Sequence, residues 1–111
     1  MRDDGQRLGD VLGAAAAISS HMQRGALVDG LVFDAVRVRL IEIGEAVKDI
    51  DPDLLAYEPD VPWQDIAGMR DHLAHRYFDT DHAIVAATVE RDLPPLVDAV
   101  QRLCEVVQRP E

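Results

Sequence analysis

The sequence is poor in several residue types, and each shortage excludes something. A single cysteine in 111 residues rules out an internal disulfide framework and a cysteine-based zinc site. Basic residues are scarce: 11 Lys and Arg stand against 21 Asp and Glu, a formal charge of −10 at pH 7. A protein that coats duplex DNA or an anionic membrane needs a basic field, whereas this chain repels phosphate at long range. Any nucleic-acid chemistry must therefore rest on a local basic pocket. Long apolar runs are also missing, since residues 14–18 fall far short of the roughly 20 residues of a membrane span. The stretch Met1-Arg2-Asp3-Asp4-Gly5 is too acidic for a signal or transit peptide, so a cytoplasmic protein with no membrane contact is expected. Internal repeats, low-complexity linkers and the period-2 alternation of strands are absent too.

What is present is an ordinary globular balance, 48% hydrophobic and 29% charged, which suits a single domain over residues 1–111. Gly and Pro punctuate helical stretches. Leu8, Val11, Leu12, Ala15, Ile18 and Met22 recur at helical spacing and predict a first helix from Arg7 to Arg24, closed by Gly25 and Asp29-Gly30. A second, from Leu31 to Ile50, is apolar on two sides: Val36, Leu40, Ile43, Val47 and Ile50 form one stripe, Leu31, Ala35, Val38 and Ile41 another. Two apolar sides need two covers, which hints at a second copy of the chain. Asp51-Pro52 reads as an N-cap with proline at the first helical position, opening a short turn through Leu55. A third helix from Trp63 to Tyr77 faces Ile66, Met69, Leu73 and Tyr77 inward, and a fourth covers His82 to Glu90. Asp92 is expected to cap a fifth, with Leu96, Val100, Leu103 and Val107 turned inward. The fold class is all-α, an up-and-down bundle of four to five helices. Cys104, within an apolar run, reads as a buried thiol.

Reactive side chains concentrate in one segment, Met69 to His82, which holds three of the four histidines and two of the ten arginines. Three readings fit it. The first is a solvated polar helix face. The second is a metal site on His72 and His75, although an i, i+3 pair lacks the intervening Glu of the metalloprotease helix. The third is acid–base work on a phosphodiester: histidine titrates near neutrality, and arginine presents a fixed fork of donors to phosphate oxygens. Geometry sets a condition on this third reading. At 100° per residue, Arg70 and His75 project about 140° apart on a straight helix. A second copy packed beside this helix would gather two Arg70, two His75 and two Arg76 in one cleft.

The pattern Arg70-x4-His75-Arg76-Tyr77 resembles the Arg-x4-His-x-Tyr motif of the HepT-like toxins, a branch of the HEPN superfamily. Ile43-Gly44-Glu45-Ala46 resembles that family's Gly-Glu-Ala segment. Val61-Pro62-Trp63, Ile66-Ala67-Gly68-Met69-Arg70 and Arg91-Asp92-Leu93-Pro94 resemble the stretches around the motif. The likeness is nearly continuous from about Ala35 to Leu96. It implies a homodimeric HEPN bundle and a metal-independent endoribonuclease toxin that needs no cofactor. Arg70 would hold the scissile phosphate and His75 would be the acid–base residue. It also implies a partner, a minimal nucleotidyltransferase antitoxin that transfers AMP to Tyr77 and so places bulk and negative charge in the RNA pocket.

The family most often has asparagine after the arginine, where this chain has Asp71, a carboxylate that can orient a neighbour or repel phosphate. Asp71, His72, Arg76 and Glu45 are candidate RNA-binding or supporting residues. Other readings stand beside these assignments. Tyr77 lies on the apolar stripe and fits a packed core tyrosine. His72 and Arg76 suit RNA contact or a dimer seam equally. Glu45, in an apolar helix, needs a cation if buried, for which Arg70 or Arg76 of either subunit is the candidate. Gly44 suits a close helix approach, and Trp63 a packing anchor. His21 and His82 carry no signal. Two rival functions remain: a non-catalytic bundle that only presents Tyr77 to a nucleotidyltransferase, and a purely structural bundle.

Overall fold

The computed structural model describes residues 2–75 and 82–109, with the backbone alone at 74, 75, 82 and 83. Every element among them is helical, as the apolar spacing predicts. Helix α1, Asp4–Arg24, starts on a capping box: the Asp3 carboxylate accepts from the Gln6 N–H, and the Gln6 side chain accepts from the Asp3 N–H. This reciprocal pair moves the start three residues ahead of the expected Arg7. Helix α2 is Gly30–Lys48, and the Asp29 carboxylate accepts from the Leu31 N–H. Asp29-Gly30 therefore opens α2 as much as it closes α1. Asp51 caps the single turn α3, Pro52–Leu55, with the proline at its start as expected.

Helix α4, Trp63–His75, is tied to α3 at its beginning. The Trp63 indole N–H donates to the Leu55 and Glu58 carbonyls at 3.1 and 3.0 Å, so the ring is the packing anchor its place beside Pro62 suggests. Then α5, His82–Ala87, leads through a π-helical turn, Thr88–Asp92, into α6, Leu93–Gln108. This corrects the expected break at Asp92, whose side chain caps nothing and whose backbone is helical. Pro94 and Pro95 are the cause. Neither has an N–H to return to the preceding turn, and their rings need room there. The turn widens, and the Leu93 N–H reaches back five residues to the Thr88 carbonyl.

α1 packs on α2 and α6, and α2 packs on α4. The first apolar stripe of α2 is wholly inside: Val36, Leu40, Ile43, Val47 and Ile50 are all buried, with Leu8, Val11 and Ile18 of α1 and Leu96, Val100 and Leu103 of α6. Ile66 and Leu73 seal the α4 side. Val107 departs from expectation and is exposed. It lies over the first turn of α1, where Gly5 offers no side chain to cover it. Cys104 is half-buried against the core, and burial pushes its thiol pKa up. The second stripe of α2 stays largely uncovered: Leu31 is 82% and Val38 44% exposed.

The α2–α4 crossing depends on Gly44. A Cβ built there would sit 2.9 Å from both the Ile66 carbonyl oxygen and the Arg70 amide nitrogen, which are backbone atoms with little freedom to move. Gly44→Ala should therefore force the two helices apart. Overpacking of this kind costs roughly 1–3 kcal/mol, and a urea titration of the purified variant should show its midpoint falling accordingly with an unchanged slope. An unchanged midpoint would mean that the helices are not held at this distance.

Candidate active site

Gly44 and Glu45 are neighbours on α2 with opposite tasks at this crossing. The glycine lets the backbones close, and the glutamate reaches around the edge to α4. Arg70 Nε lies 2.7 Å from Glu45 Oε2, and Arg70 NH1 donates to Asp71 Oδ1 at 2.6 Å. Glu45 is exposed, so burial does not require a cation, and the guanidinium it meets is Arg70 of the same chain. Two carboxylates hold one guanidinium, and these contacts engage two of its five N–H groups. The hydrogen bond it donates to Asp71, followed by the charge of Glu45, raises the Arg70 pKa beyond its already high ordinary value. Arg70 is a permanent cation with a set orientation. It is half-exposed and opens onto a trough between α1 and α2.

Asp71 therefore contacts the very group that the sequence pattern assigns to phosphate. A neutral amide there would orient the guanidinium without an opposing charge. The carboxylate orients it more strongly and competes with any incoming anion.

The remaining candidates divide by position. His72, two residues beyond Arg70 and so about 200° around the helix, is exposed. It lines a separate cavity of about 330 Å3 with Gln64, Ile84 and Thr88 on the α5 side. The structure brings Glu45, Arg70 and Asp71 together and leaves His72 apart from them. His75 closes α4, its side chain lying outside the described residues, as do Arg76 and Tyr77. An apolar cavity of about 440 Å3 between α2, α4 and the π-helical turn, lined by Leu40, Ile43, Met69 and Leu96, receives none of the described candidates. Among the described residues, no three His, Cys, Asp or Glu side chains converge as a metal site requires, and no helix is long and apolar enough to cross a membrane.

Sequence reasoning missed Arg37. Its guanidinium donates to the Leu73 carbonyl at 3.1 Å, tying α2 to the last turn of α4 just ahead of His75. The signal was there: an arginine alternating with valines in Val36-Arg37-Val38 has to find an acceptor where it is half-buried. Arg2, Arg7 and Arg39 were also passed over, and all three line the trough that Arg70 enters.

Comparison with known proteins agrees with the motif. The sequence model of the family described as ribonuclease HepT-like matches residues 10–103. A Thermococcus cleftensis protein named "Probable ribonuclease HepT" is 40% identical over 67 residues, 60% of this chain and 61% of that protein. A Caldanaerobacter subterraneus protein is 39% identical over 69 residues, 61% of this chain and 62% of its own length. A Methanocaldococcus jannaschii protein is 36% identical over 91 residues, 81% of this chain and 75% of its own length. Both of these carry the name "Putative RNase". The chain spans about six-tenths of the length of the first two. No solved structure matches it.

Proposed function

The chain belongs to the ribonuclease HepT-like family, and from that premise we propose that it is the endoribonuclease toxin of a toxin–antitoxin pair, cutting RNA with Arg70 and His75. One observation carries the reading: a half-exposed guanidinium, set in direction by Glu45 and Asp71 at a helix crossing, stands five residues ahead of a histidine on the same helix. The chemistry needs a base and a cation, because RNA supplies its own nucleophile. His75 takes the proton of a ribose 2′-OH, and that oxygen attacks the adjacent phosphorus. Arg70 stabilises charge on the equatorial oxygens, and the 5′-oxygen leaves as it gains a proton. A new bond from the 2′-oxygen to phosphorus replaces the bond to the 5′-oxygen, so the product end is a 2′,3′-cyclic phosphate. His72 and Arg76 are candidate supports for the flanking RNA.

The catalytic assignment predicts that His75→Ala lowers the cleavage rate about 10²–10⁴-fold. Arg70→Ala should be similarly inactive while still folding. Gel analysis of a labelled RNA, with the cyclic end identified by mass, measures both. A His75→Ala protein cutting at the wild-type rate would refute the role.

The site is proposed to be completed by a second copy. Leu31, Val38 and Glu45 are seven residues apart on α2, and each such step turns the helix only about 20°. The uncovered apolar stripe thus runs straight towards Glu45 and its partner Arg70, and a protomer seated on Leu31 and Val38 comes beside the arginine. Leu31→Asp with Val38→Asp should make the protein monomeric by sedimentation and abolish cleavage together. A monomer that still cleaves would break the link.

Regulation is proposed to fall on Tyr77, which a cognate nucleotidyltransferase modifies: the tyrosine oxygen attacks the α-phosphorus of ATP, AMP is transferred and pyrophosphate leaves. Mixing the protein with such a partner and ATP should add the mass of AMP at Tyr77 and stop cleavage. Modification of Tyr77 on a protein that never cleaves RNA would instead support a bundle that only presents the tyrosine.

A further inference from the structure

Ten arginines and one lysine carry the positive charge of the chain, and four of the arginines line one place. An open trough of about 770 Å3 lies between the first half of α1 and the second half of α2, lined by Arg2, Arg7, Arg39 and Arg70. Its acidic lining is Asp10, Glu42, Glu45 and Asp49, and Asp4 and Asp71 contact Arg7 and Arg70 from its edge, so four cations meet six anions there. Of the formal charge of −10, only −2 falls on this cluster and the rest of the chain carries −8. For a polyanion approaching this molecule, the trough repels less than the acidic chain as a whole would suggest.

Each of the four guanidiniums is already oriented by a carboxylate. Arg2 pairs with Asp10 at 2.6 Å, Arg7 with Asp4 at 3.2 Å, Arg39 with Glu42 at 3.0 Å and Arg70 with Glu45 at 2.7 Å. The Arg7–Asp4 pair is part-buried, but the other three are open to water and such pairs contribute little, so exchanging their carboxylates for phosphate is cheap. A phosphate accepts from the same fork in the same bidentate way. The floor is low as well. Gly9 and Gly13 line it, and a Cβ at either would meet no atom within 4 Å. Along α2 the lining extends from Arg39 to Asp49, about 15 Å at 1.5 Å per residue.

We propose that this trough carries the backbone of single-stranded RNA to the site, with Arg2, Arg7 and Arg39 as phosphate contacts beyond Arg70. The inference rests on the ribonuclease reading above and adds the path of its substrate. Ile41, Ala14 and Ala46 also line the trough, but the eight charged side chains in its lining suit a polyanion better than a protein partner, because the buried centres of protein interfaces are depleted of charge.

The test compares two charge-matched double variants, Arg2→Gln/Arg39→Gln in the trough and Arg24→Gln/Arg109→Gln outside it, each checked for fold by circular dichroism. The probe is a fluorescent single-stranded RNA with 2′-O-methyl groups, which binds without being cut, read by anisotropy across a salt series. The trough pair should weaken binding by roughly an order of magnitude and make the salt slope shallower by about 1.4, at roughly 0.7 per phosphate contact. The outside pair should bind as wild type does, and Arg2→Lys/Arg39→Lys should recover most of the affinity. Equal losses in both Gln pairs overturn the proposal, since net charge alone would then explain them. So does a trough pair that keeps its RNA affinity but changes oligomeric state, which would make the trough a protein contact. A wild-type chain that binds the probe but never cleaves RNA refutes the catalytic reading and leaves the trough standing; one that binds no RNA refutes both.

Discussion

The contact on which the rest depends is between backbones. Gly44 of α2 lies so close to Ile66 and Arg70 of α4 that no side chain fits between them. That closeness lets the next residue, Glu45, reach Arg70 with an ordinary side chain, at 2.7 Å. Were the helices separated by even one methyl group, the guanidinium would lose one of the two carboxylates that hold it. It would then sample the rotamers open to a long exposed side chain. The glycine is therefore a condition of the site's geometry as much as of packing. Arg37 acts in the same sense one turn further along, holding the last turn of α4 to α2 through the Leu73 carbonyl.

Much of this was legible in the sequence because it follows from periodicity. The buried stripe of α2 and the inward residues Leu8, Val11 and Ile18 of α1 lie where 3.6-residue spacing puts them. Gly44 and Glu45 were legible for a different reason: a glycine and a lone carboxylate inside an apolar helix both ask for an explanation, and one neighbouring helix answers both. The failures share a cause as well. Asp92 before two prolines has every local mark of a cap, but the choice between a break and a widened π turn depends on whether the core holds α5 and α6 in one line. Val107 has the right phase and the wrong place, because only the tertiary arrangement sets it over Gly5. The trough was invisible because Arg2 and Arg7 lie far in sequence from Arg39 and Arg70, and no pattern along one helix relates them.

The electrostatics reconcile an acidic chain with an anionic substrate. On the proposed ribonuclease reading, a chain of this charge gains no long-range attraction for RNA, so selectivity must come from short-range exchange. The arginines on the trough wall are held ready by carboxylates that keep their forks oriented until phosphate arrives. Such an arrangement gives up affinity for orientation. Each phosphate gained is a carboxylate displaced, and the net free energy is the difference between two similar ion pairs rather than the whole of one.

That difference bears most heavily on Asp71. Glu45 approaches Arg70 from another helix, and its bond fixes where the guanidinium stands. Asp71 is the adjacent residue of α4 and adds less information about position, yet it contributes an equal negative charge at 2.6 Å. An anion arriving at Arg70 has to displace or outweigh it, whereas an asparagine at the same place would keep the orientation and remove the opposition. An aspartate at 71 therefore trades resting affinity for phosphate against rigidity of the cation. The trade is least costly where other contacts already secure the RNA, and neighbouring arginines in one trough are contacts of that kind. On this logic Asp71 and the arginine-lined trough are complementary parts of one design: a weak grip at the point of chemistry and a distributed grip along the strand.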